Sequence, residues 1–308
     1  MAIELEVRED ERGLRLDVFL VRRVPGLGRA GARAAVARGA VQADGRCVRA
    51  AGQPVGAARR VTLAEAPEPA AAALAEDGPL VVLYEDPWLV VVDKPAGVPT
   101  HPLAAGERGT LANVLLGRYP EMADVGYRAR EPGLLHRLDN DTSGVLLAAR
   151  DPDTFEALRG ALREGAIDKR YVVLVEGTFA PRTVIAAPIG PHPRDRRRVV
   201  AHLGQAPARA RAARTEIVSV APVGASLSRV EVRVCAAVRH QIRAHFAALG
   251  HPLVGDATYG GAHPELGRHF LHAASLALAH PRTGAWLEVA SPLPPELEGF
   301  LATHDDGA

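Results

Sequence analysis

The sequence is poor in cysteine, in aromatic residues and in lysine, and it contains no long apolar run. Two cysteines, Cys47 and Cys235, are too few for a disulfide framework and are typical of a reducing compartment. The N-terminal segment MAIELEVREDERG is rich in charge, which predicts that it is not a signal peptide. No apolar stretch approaches the length of a membrane span. We therefore expect a cytoplasmic protein with no membrane partner.

A net excess of charge is also lacking, because 37 basic residues face 36 acidic ones. Any affinity for a polyanion must therefore come from local clusters of basic residues. Only two of the basic residues are lysines, Lys94 and Lys169, and the others are arginine. Arginine suits two-pronged contacts with phosphate, although a GC-rich coding bias, which the abundant alanine also indicates, explains most of the excess.

The composition changes near EAPEPAAAALAEDGP, a segment that is typical of a solvated linker. We expect a small unit, a linker, a large unit and a short tail over residues 1–66, 67–78, 79–303 and 304–308. Between Gly13 and Leu63 the small unit carries ten arginines against two aspartates. The small unit therefore carries a local excess of positive charge, although the whole chain is nearly neutral.

The small unit shows the pattern of two helices followed by a hairpin. Leu16, Phe19 and Leu20 have helical spacing, and VQADGRCVR predicts a hairpin that turns at Asp44 and Gly45. These pieces resemble the small RNA-binding domain named after ribosomal protein S-four. The resemblance implies an α/β domain that binds RNA in a salt-sensitive way.

The second helix of the small unit carries Arg29 and Arg33 four residues apart. By the same resemblance, we expect these two arginines to contact RNA. The alternative is that they form a solvated face on a structural appendage. The scarcity of acidic residues in this unit favours RNA.

In the large unit, predicted strands mostly follow one another directly. They are PLVVLYED, WLVVVDKP, GVLLAAR, RYVVLVEG, RRRVVAHL, RTEIVSVAP, LSRVEVRV, FLHAASLAL and WLEVASP. Helices are predicted from about Asp153 to Glu164 and over RHQIRAHFAAL. Because few helices separate the strands, we predict an α+β fold with a mixed, largely antiparallel central sheet and flanking helices.

One short polar loop, HRLDNDTSG, stands directly before the apolar GVLLAAR segment. An aspartate at that point is held at the edge of a sheet, where a substrate can meet it. Asp139 and Asp141 could be the paired carboxylates of a glycosidase. Alternation along the loop argues against this, and Asp141 belongs to a good turn sequence. For Asp139 the local sequence does not separate catalysis from capping.

Four separated motifs carry a wider resemblance. They are DKPAGVPTHP, HRLDNDTSG, DKRYVVLVEG and RHQIRAHFAALGHPLVGDATYG, and FLHAASLALAHPRTGAWLEVASPLP fits the section that follows them. In this order they resemble the RluA-type RNA pseudouridine synthases over nearly all of residues 79–300. The resemblance implies the pseudouridine synthase fold and the isomerisation of uridine in RNA. That reaction requires no cofactor.

By this resemblance Asp139 is the essential aspartate. It either attacks the anomeric carbon of a flipped-out uridine or removes the neighbouring 2′ proton, and both routes need an ionised carboxylate near the ribose. Arg243 is implied to pair with Asp139 and to keep its pKa low. Tyr171 is implied to pack against the target base, and it is a candidate to help remove the proton from the newly bonded carbon.

Other residues are expected to bind RNA. Arg137 is implied to contact phosphate or to fill the space that the flipped base leaves, and Lys169 precedes Tyr171 in the third motif. The family's usual Gly-Arg-Thr reads Ala237-Val238-Arg239 here, so Arg239 is a candidate to replace the missing arginine. We predict that Arg239 shares a helix face with Arg243 because the two are four residues apart.

Other function classes are less well supported. A non-catalytic RNA-binding protein on the same fold would be favoured by loss of Asp139 or Arg243, and both are present. A glycosidase would be supported by sugar-lining aromatic residues, which are scarce here, and a methyltransferase would need a glycine-rich nucleotide turn that we do not find. The histidines do not have metal-site spacing, so no metal is expected. We expect a monomer whose partner is RNA, with large-subunit ribosomal RNA favoured over transfer RNA.

Overall fold

The computed structural model describes residues 2–24, 27, 29–64, 72–180 and 183–305, without the side chains of Arg29 and Ala30. The chain divides into two compact units. The first comprises Met1–Ala72 and Arg128–Arg130, and the second comprises Ala73–Tyr127 and Glu131–Ala308. None of the helices that can be described is both long and apolar enough to cross a membrane.

The first unit combines a four-stranded antiparallel sheet with two helices. Its elements are β1 (Ile3–Glu6), a short 3-10 helix (Glu9–Glu11), α1 (Leu16–Arg23), α2 (Arg29–Ala37), β2 (Val41–Ala43), β3 (Arg46–Cys47) and β4 (Arg60–Leu63). The strands lie in the order β1-β4-β2-β3. Leu16, Phe19 and Leu20 of α1 pack with Val36 of α2 and Val41 of β2 in one apolar cluster. The helical spacing of the first three residues therefore corresponds to a buried helix face.

The hairpin of the first unit turns at Asp44 and Gly45, whose φ angles are 45° and 77°. Two consecutive left-handed residues match the twist of the flanking strands, and glycine adopts this conformation without steric cost. The Asp44 carboxylate accepts hydrogen bonds from the backbone N–H groups of Arg59 and Arg60. This aspartate is therefore bound to backbone at the start of β4.

The second unit is built around one nine-stranded sheet, and two further strands form a separate hairpin. Its strands are β5 (Val81–Glu85), β6 (Leu89–Lys94), β7 (Ser143–Ala149), β8 (Asp168–Glu176), β9 (Val184–Ala186), β10 (Ile189–Pro191), β11 (Val199–Ala201), β12 (Arg214–Val223), β13 (Leu227–Arg233), β14 (Leu271–Ala279) and β15 (Trp286–Ala290). The order is β5-β6-β7-β14-β8-β13-β12-β9, with β15 on β14 and with β10 and β11 in a separate hairpin. Only β7 and β14 are parallel among the described strand pairs. The predicted α+β fold with a mixed, largely antiparallel sheet is confirmed.

Four helices belong to the second unit. They are α3 (Leu111–Arg118), α4 (Pro152–Glu164), α5 (Gln241–Ala248) and α6 (Pro295–His304), and a 3-10 helix covers Pro120–Asp124. As predicted, α4 ends at Gly165, which has a left-handed φ of 73°. The sequence did not predict α3, because most of that helix is buried and its apolar residues do not form a one-sided pattern.

Helix α5 begins later than the sequence predicts. His240 precedes its first residue and has a φ of 53°, a left-handed conformation through which a right-handed helix cannot continue. Arg239 therefore lies outside the helix. The prediction that Arg239 and Arg243 share a helix face is wrong for this reason.

The segment that the sequence assigned to a linker behaves differently in its two halves. Residues 67–71 lie outside the described residues. The second half is hydrogen-bonded to α3: Asn113 Nδ2 donates to Leu74 O at 2.7 Å, and Glu76 N donates to Asn113 O at 3.0 Å. The second unit consequently begins at Ala73, several residues before the predicted boundary.

A close approach of β7 to β14 positions the polar loop that precedes β7. Gly144 pairs with Ala273 of β14 and has a φ of 113°, which residues with a side chain rarely adopt. A Cβ atom at position 144 would overlap the backbone of Ala273. The glycine of the HRLDNDTSG motif therefore lets the two strands pair, and the loop is held beside the middle of the sheet.

Candidate active site

A cavity opens beside the loop that precedes β7. Its lining includes Asp139 from that loop, Tyr171 from β8, Leu271 from β14, and His240 and Arg243 from the start of α5. Asp139, Tyr171 and Arg243 are far apart in the sequence, and the fold brings them to one cavity.

Arg243 lies between two carboxylates. Its Nη1 donates to Asp139 Oδ2 at 2.9 Å, while Nε and Nη2 donate to the two oxygens of Asp256 at 2.6 and 2.8 Å. Asp256 is almost fully buried, and it also accepts from the backbone N–H groups of Thr258 and Tyr259. The two-pronged contact with Asp256 fixes the guanidinium plane, so that its remaining donor is directed at Asp139.

This arrangement favours the ionised form of Asp139. Burial opposes ionisation, but the nearby His240 and Arg243 outweigh it and hold the pKa of Asp139 below its ordinary value. Burial also lowers the pKa of His240, so this histidine is mostly neutral at neutral pH. The positive charge beside Asp139 at that pH is therefore mainly the guanidinium of Arg243. Asp139 keeps 19% of its side chain exposed, towards the cavity that it lines.

Groups from distant segments hold the loop that carries Asp139. Lys94 is fully buried, and its Nζ donates to Asn140 O at 2.9 Å as well as to two carbonyls of its own loop. Thr100 Oγ1 donates to Leu138 O at 2.8 Å, and Arg268 Nη1 donates to Asp141 O at 3.0 Å. These bonds fix the backbone on both sides of Asp139, which limits the motion of its carboxylate.

Three histidines, of which His269 and His272 are buried and His136 is half-buried, complete the support of this loop. His269 Nε2 lies 2.8 Å from Thr142 Oγ1, and His272 Nδ1 lies 3.0 Å from Ser143 Oγ. His136 Nε2 accepts from the backbone N–H of Leu147. Burial lowers the pKa of His136 to about 3 and that of His269 to about 4, so both rings are neutral at neutral pH. Within the described residues, no cluster of acidic, histidine and cysteine side chains is arranged to hold a metal ion.

Tyr171 lies on β8 and is 6% exposed. Burial, with a smaller contribution from the charge of Asp139, raises the pKa of its phenol well above the ordinary value of tyrosine. The phenol is therefore neutral at neutral pH. Tyr171 can present an aromatic surface and a hydrogen-bond donor to a ligand in the cavity, but it does not enter as a phenolate.

Tyr259 connects the cavity with the hairpin formed by β10 and β11. Its hydroxyl accepts from Val199 N of β11 at 2.9 Å and lies 3.2 Å from His240 Nδ1. Its ring lies between two guanidinium groups, with the Cζ atoms of Arg198 and Arg243 at 5.1 and 5.2 Å from the ring centre. The hairpin is therefore attached to the same residue that flanks the Arg243 guanidinium.

Arg239 also holds the β10–β11 hairpin in place. Its Nη2 donates to the backbone carbonyl of Arg196 at 2.8 Å and to that of Arg197. Both acceptors belong to the turn between β10 and β11. The guanidinium that we expected at an RNA phosphate is thus bound to protein backbone, although its side chain is exposed.

A groove adjoins the cavity. Arg137, Asp139 and His240 line both spaces, and Lys169 and Arg239 line the groove. The structure therefore brings Arg137, Lys169 and Arg239 to one surface next to Asp139. Asp141 lines neither space and lies in a turn.

Arg29 and Arg33 belong to the first unit. Arg33 Nε donates to Asp17 Oδ2 at 3.0 Å, and Arg15 donates to the same carboxylate, which is fully buried. More than half of the Arg33 side chain remains exposed. The side chain of Arg29 lies outside the described residues. The arginine excess is thus partly balanced by one buried aspartate.

Sequence reasoning missed several residues of this site. It gave no role to Asp256, Tyr259, Lys94 or Thr100, although all four lie in the motifs that carry the resemblance. Their partners are between 13 and about 60 positions away, and no local pattern indicates such contacts. The signal that was available was the presence of a carboxylate and a lysine within these motifs, since charge is rarely buried without a partner.

Three comparisons place the chain among known proteins. Residues 88–248 match the model of the RNA pseudouridylate synthase family. A protein of Chloroflexus aurantiacus described as an uncharacterized RNA pseudouridine synthase is 40% identical over 96% of this chain and 91% of its own length. The ribosomal large subunit pseudouridine synthase D of Nitrosomonas europaea is 32% identical over 97% of this chain and 87% of its own length.

Solved structures agree with the sequence comparisons. Human RNA pseudouridylate synthase domain containing 1 is 28% identical, with a TM-score of 0.57 over 73% of this chain and 89% of that one. The predicted enzyme class, an RNA-modifying isomerase, is therefore confirmed. With a fold, a carboxylate-bearing cavity and close relatives that agree, the chain belongs to the RNA pseudouridylate synthase family.

Proposed function

We propose that this protein converts uridines of large-subunit ribosomal RNA to pseudouridine, and that Asp139 acts on the ribose of a uridine that has been flipped into the cavity. The relatives that are named for the large ribosomal subunit support this target. The observation that carries the catalytic assignment is the contact between Asp139 and Arg243, with the guanidinium held in place by Asp256.

The reaction conserves all atoms of the RNA. The bond between N1 of uracil and C1′ of ribose breaks, the uracil turns within the cavity, and C5 bonds to C1′ while the C5 proton is lost and N1 gains a proton. Asp139 acts either as a nucleophile at C1′ or as a base at C2′. Both routes require the carboxylate form, which Arg243 favours.

Tyr171 serves in this proposal as the surface against which the uracil lies. Stacking of a base on an aromatic ring contributes about 1–3 kcal/mol, comparable with the few kcal/mol that flipping a base out of a helix costs. Because its phenol is neutral, Tyr171 removes no proton from C5 in its resting form. A water molecule or Asp139 itself is the better candidate to accept that proton.

The RNA chain is proposed to follow the groove next to the cavity. Arg137 lines both spaces and is exposed, so it is suited to contact the backbone of the flipped nucleotide. Arg239 acts indirectly, through the turn that it holds, and Lys169 lies at the inner wall. The first unit is proposed to add phosphate contacts through its exposed arginines, Arg33 among them.

The decisive experiment compares two isosteric substitutions in one loop. Asp139→Asn removes the ionised group, whereas Asp141→Asn changes a turn residue outside the cavity. We expect Asp139→Asn to bind RNA but to give no detectable pseudouridine, and Asp141→Asn to keep most of the activity. The measurement is pseudouridine mapping in ribosomal RNA from cells that lack the gene and are complemented with each variant.

The proposal has two separate points of failure. Substantial product from purified Asp139→Asn would show that this carboxylate is not required. If loss of the gene removed pseudouridine from transfer RNA and left large-subunit RNA unchanged, the target would be wrong while the activity stood.

A further inference from the structure

The chain contains two lysines, and both are buried, but their surroundings differ. The ammonium group of Lys94 donates to three backbone carbonyls. Lys169 is 4% exposed. In the part of the chain that the structure describes, its Nζ has no carboxylate or carbonyl partner. The hydrogen bonds of the Lys94 ammonium group are thus made within the fold, whereas the Lys169 ammonium group has no such partners among the described residues.

The residues next to Lys169 do not compensate its charge. The preceding carboxylate, Asp168, is bound to Arg233 at 2.9 Å and lies near Arg170. His136 is neutral, and among the described residues only Cys235 favours the ammonium charge. Burial lowers the pKa of Lys169 to about 8. A charge on a largely buried side chain without a counter-charge is costly, so an anion supplied by a ligand would reduce that cost.

Lys169 borders the groove that adjoins the catalytic cavity. It lies two residues before Tyr171 on β8, and both side chains are on the buried face of the strand. Residues two apart on a strand are about 7 Å from each other along it. The ammonium group of Lys169 and the ring of Tyr171 therefore face neighbouring spaces that share Asp139 and His240.

The charge of the groove favours an anionic ligand. Arg159, Arg163 and Arg211 line it together with Lys169, and all three arginines are exposed. Asp139 is the only carboxylate among its described lining residues, and it is already bound to Arg243. A bare metal ion is therefore a poor match, and an RNA phosphate is a good one.

We propose that Lys169 binds a backbone phosphate of the RNA next to the nucleotide whose base lies against Tyr171. This inference rests on the proposed function, because it assumes that the cavity receives a flipped nucleotide. Lys169 thereby fixes the register of the RNA at the cavity mouth. The exposed arginines add affinity along the groove, but their long, mobile side chains fix no single position.

The test measures RNA binding without turnover. All variants are made in the Asp139→Asn protein, and the probe is a fluorescent oligouridylate of about twelve nucleotides, a length within the usual range of single-strand sites. Lys169→Met replaces the ammonium by an apolar group of similar length. Arg170→Met is the matched control, because Arg170 is an exposed cation on the opposite face of the same strand. Thermal melts establish that each variant is folded.

We expect Lys169→Met to weaken binding about tenfold, as for loss of one charge-assisted hydrogen bond, and Arg170→Met to change it less than twofold. A plot of log affinity against log salt should become shallower by about 0.7 for Lys169→Met. Lys169→Arg should keep the slope of the parent. Should Lys169→Met fail to fold, Lys169→Gln removes the same charge while keeping a polar side chain.

A second probe identifies the group that is bound. In an oligouridylate with uncharged methylphosphonate linkages, Lys169→Met should cause no further loss of affinity. An equal loss with both probes would assign Lys169 to a base or ribose, and no loss with either would make it a purely structural residue. Both results would overturn the inference. Neither depends on pseudouridine formation, so failure of the proposed function would be recognised separately, by the absence of product from the wild-type protein.

Discussion

At the scale of single residues, Arg243 determines the ionisation state of Asp139 because its guanidinium binds two carboxylates at once. Its contact with Asp256 uses Nε and Nη2, which leaves Nη1 for Asp139. A lysine at this position could supply charge but could not reach both carboxylates in this geometry. The pKa of Asp139 is therefore tied to the orientation of one planar group.

Replacing Arg243 should expose this dependence. In Arg243→Ala the pKa of Asp139 should rise, because burial disfavours the carboxylate and the guanidinium no longer offsets it. Activity near neutral pH should fall by about two orders of magnitude or more and should recover partly as pH increases. Arg243→Lys should lose less. The measurement is the single-turnover rate of pseudouridine formation as a function of pH.

The same substitution should reduce stability. Removal of one member of a buried charge pair costs about 3–5 kcal/mol. Because the pKa of Asp139 is lowered in the folded state, the pair stabilises the protein above the ordinary pKa of aspartate. That contribution is lost as pH falls through the lowered value.

Arg233→Ala is the control, since Arg233 also lies between two carboxylates, Asp168 and Glu216, outside the cavity. It should destabilise the protein without changing the pH profile of the rate. A wild-type pH profile in Arg243→Ala would contradict the pairing of Arg243 with Asp139.

At the scale of elements, the β10–β11 hairpin is held by Tyr259 and Arg239. The tyrosine hydroxyl bonds to the backbone of Val199, and the arginine bonds to two carbonyls in the turn. The turn carries Arg194, Arg196 and Arg197, which are exposed. Its attachment therefore fixes where these arginines lie, and we expect them to contact RNA.

Removing the hydroxyl should loosen the hairpin. Tyr259→Phe keeps the ring between Arg198 and Arg243 but loses the bonds to Val199 and His240. We expect faster amide hydrogen exchange in residues 192–201 and a rise of several-fold in the apparent KM for RNA, with kcat changed less. The control is Tyr119→Phe, because it removes a hydroxyl that is bonded to Glu85 in a part of the sequence far from the hairpin. A fall in kcat with an unchanged KM would assign Tyr259 to the chemistry.

At the scale of the whole molecule, the free energy of RNA binding should contain a contribution from each of the two units. The first unit has its own apolar cluster, and the second contains the cavity and the whole nine-stranded sheet. Division into two such cores predicts that each folds separately. Residues 73–78 must be retained with the second unit because they are hydrogen-bonded to α3.

Deleting residues 1–72 should leave a folded second unit that binds RNA more weakly. The salt dependence of binding should become shallower, because fewer phosphates are neutralised. The control keeps the first unit but replaces its exposed Arg22, Arg38, Arg46 and Arg49 by glutamine, and it should give a similar slope. An unchanged slope in both proteins would mean that these arginines do not contact RNA.

The sequence by itself determined the α+β class, the family and most of the strand series, because these depend on local periodicity and on motifs with a fixed order. No predicted strand corresponds to β9 or β10. Gly165 ended α4 and Gly45 turned the hairpin at the expected positions, since a left-handed φ is a property of the residue and its neighbours. Asp139, Arg243 and Tyr171 were identified through their motifs. Their common cavity could not be derived from spacing.

Only the tertiary structure decided how the site is held together. The partner of Arg243 on its far side, Asp256, and the bond from Lys94 to Asn140 depend on contacts between segments that the sequence separates widely. The start of α5 was also decided there. His240 is held in its left-handed conformation beside Tyr259 and Asp139, and this removes Arg239 from the helix face that periodicity predicts. A local sequence pattern indicates only the conformational preference of a segment. These contacts depend instead on packing against residues that are distant in the sequence, which no local pattern contains.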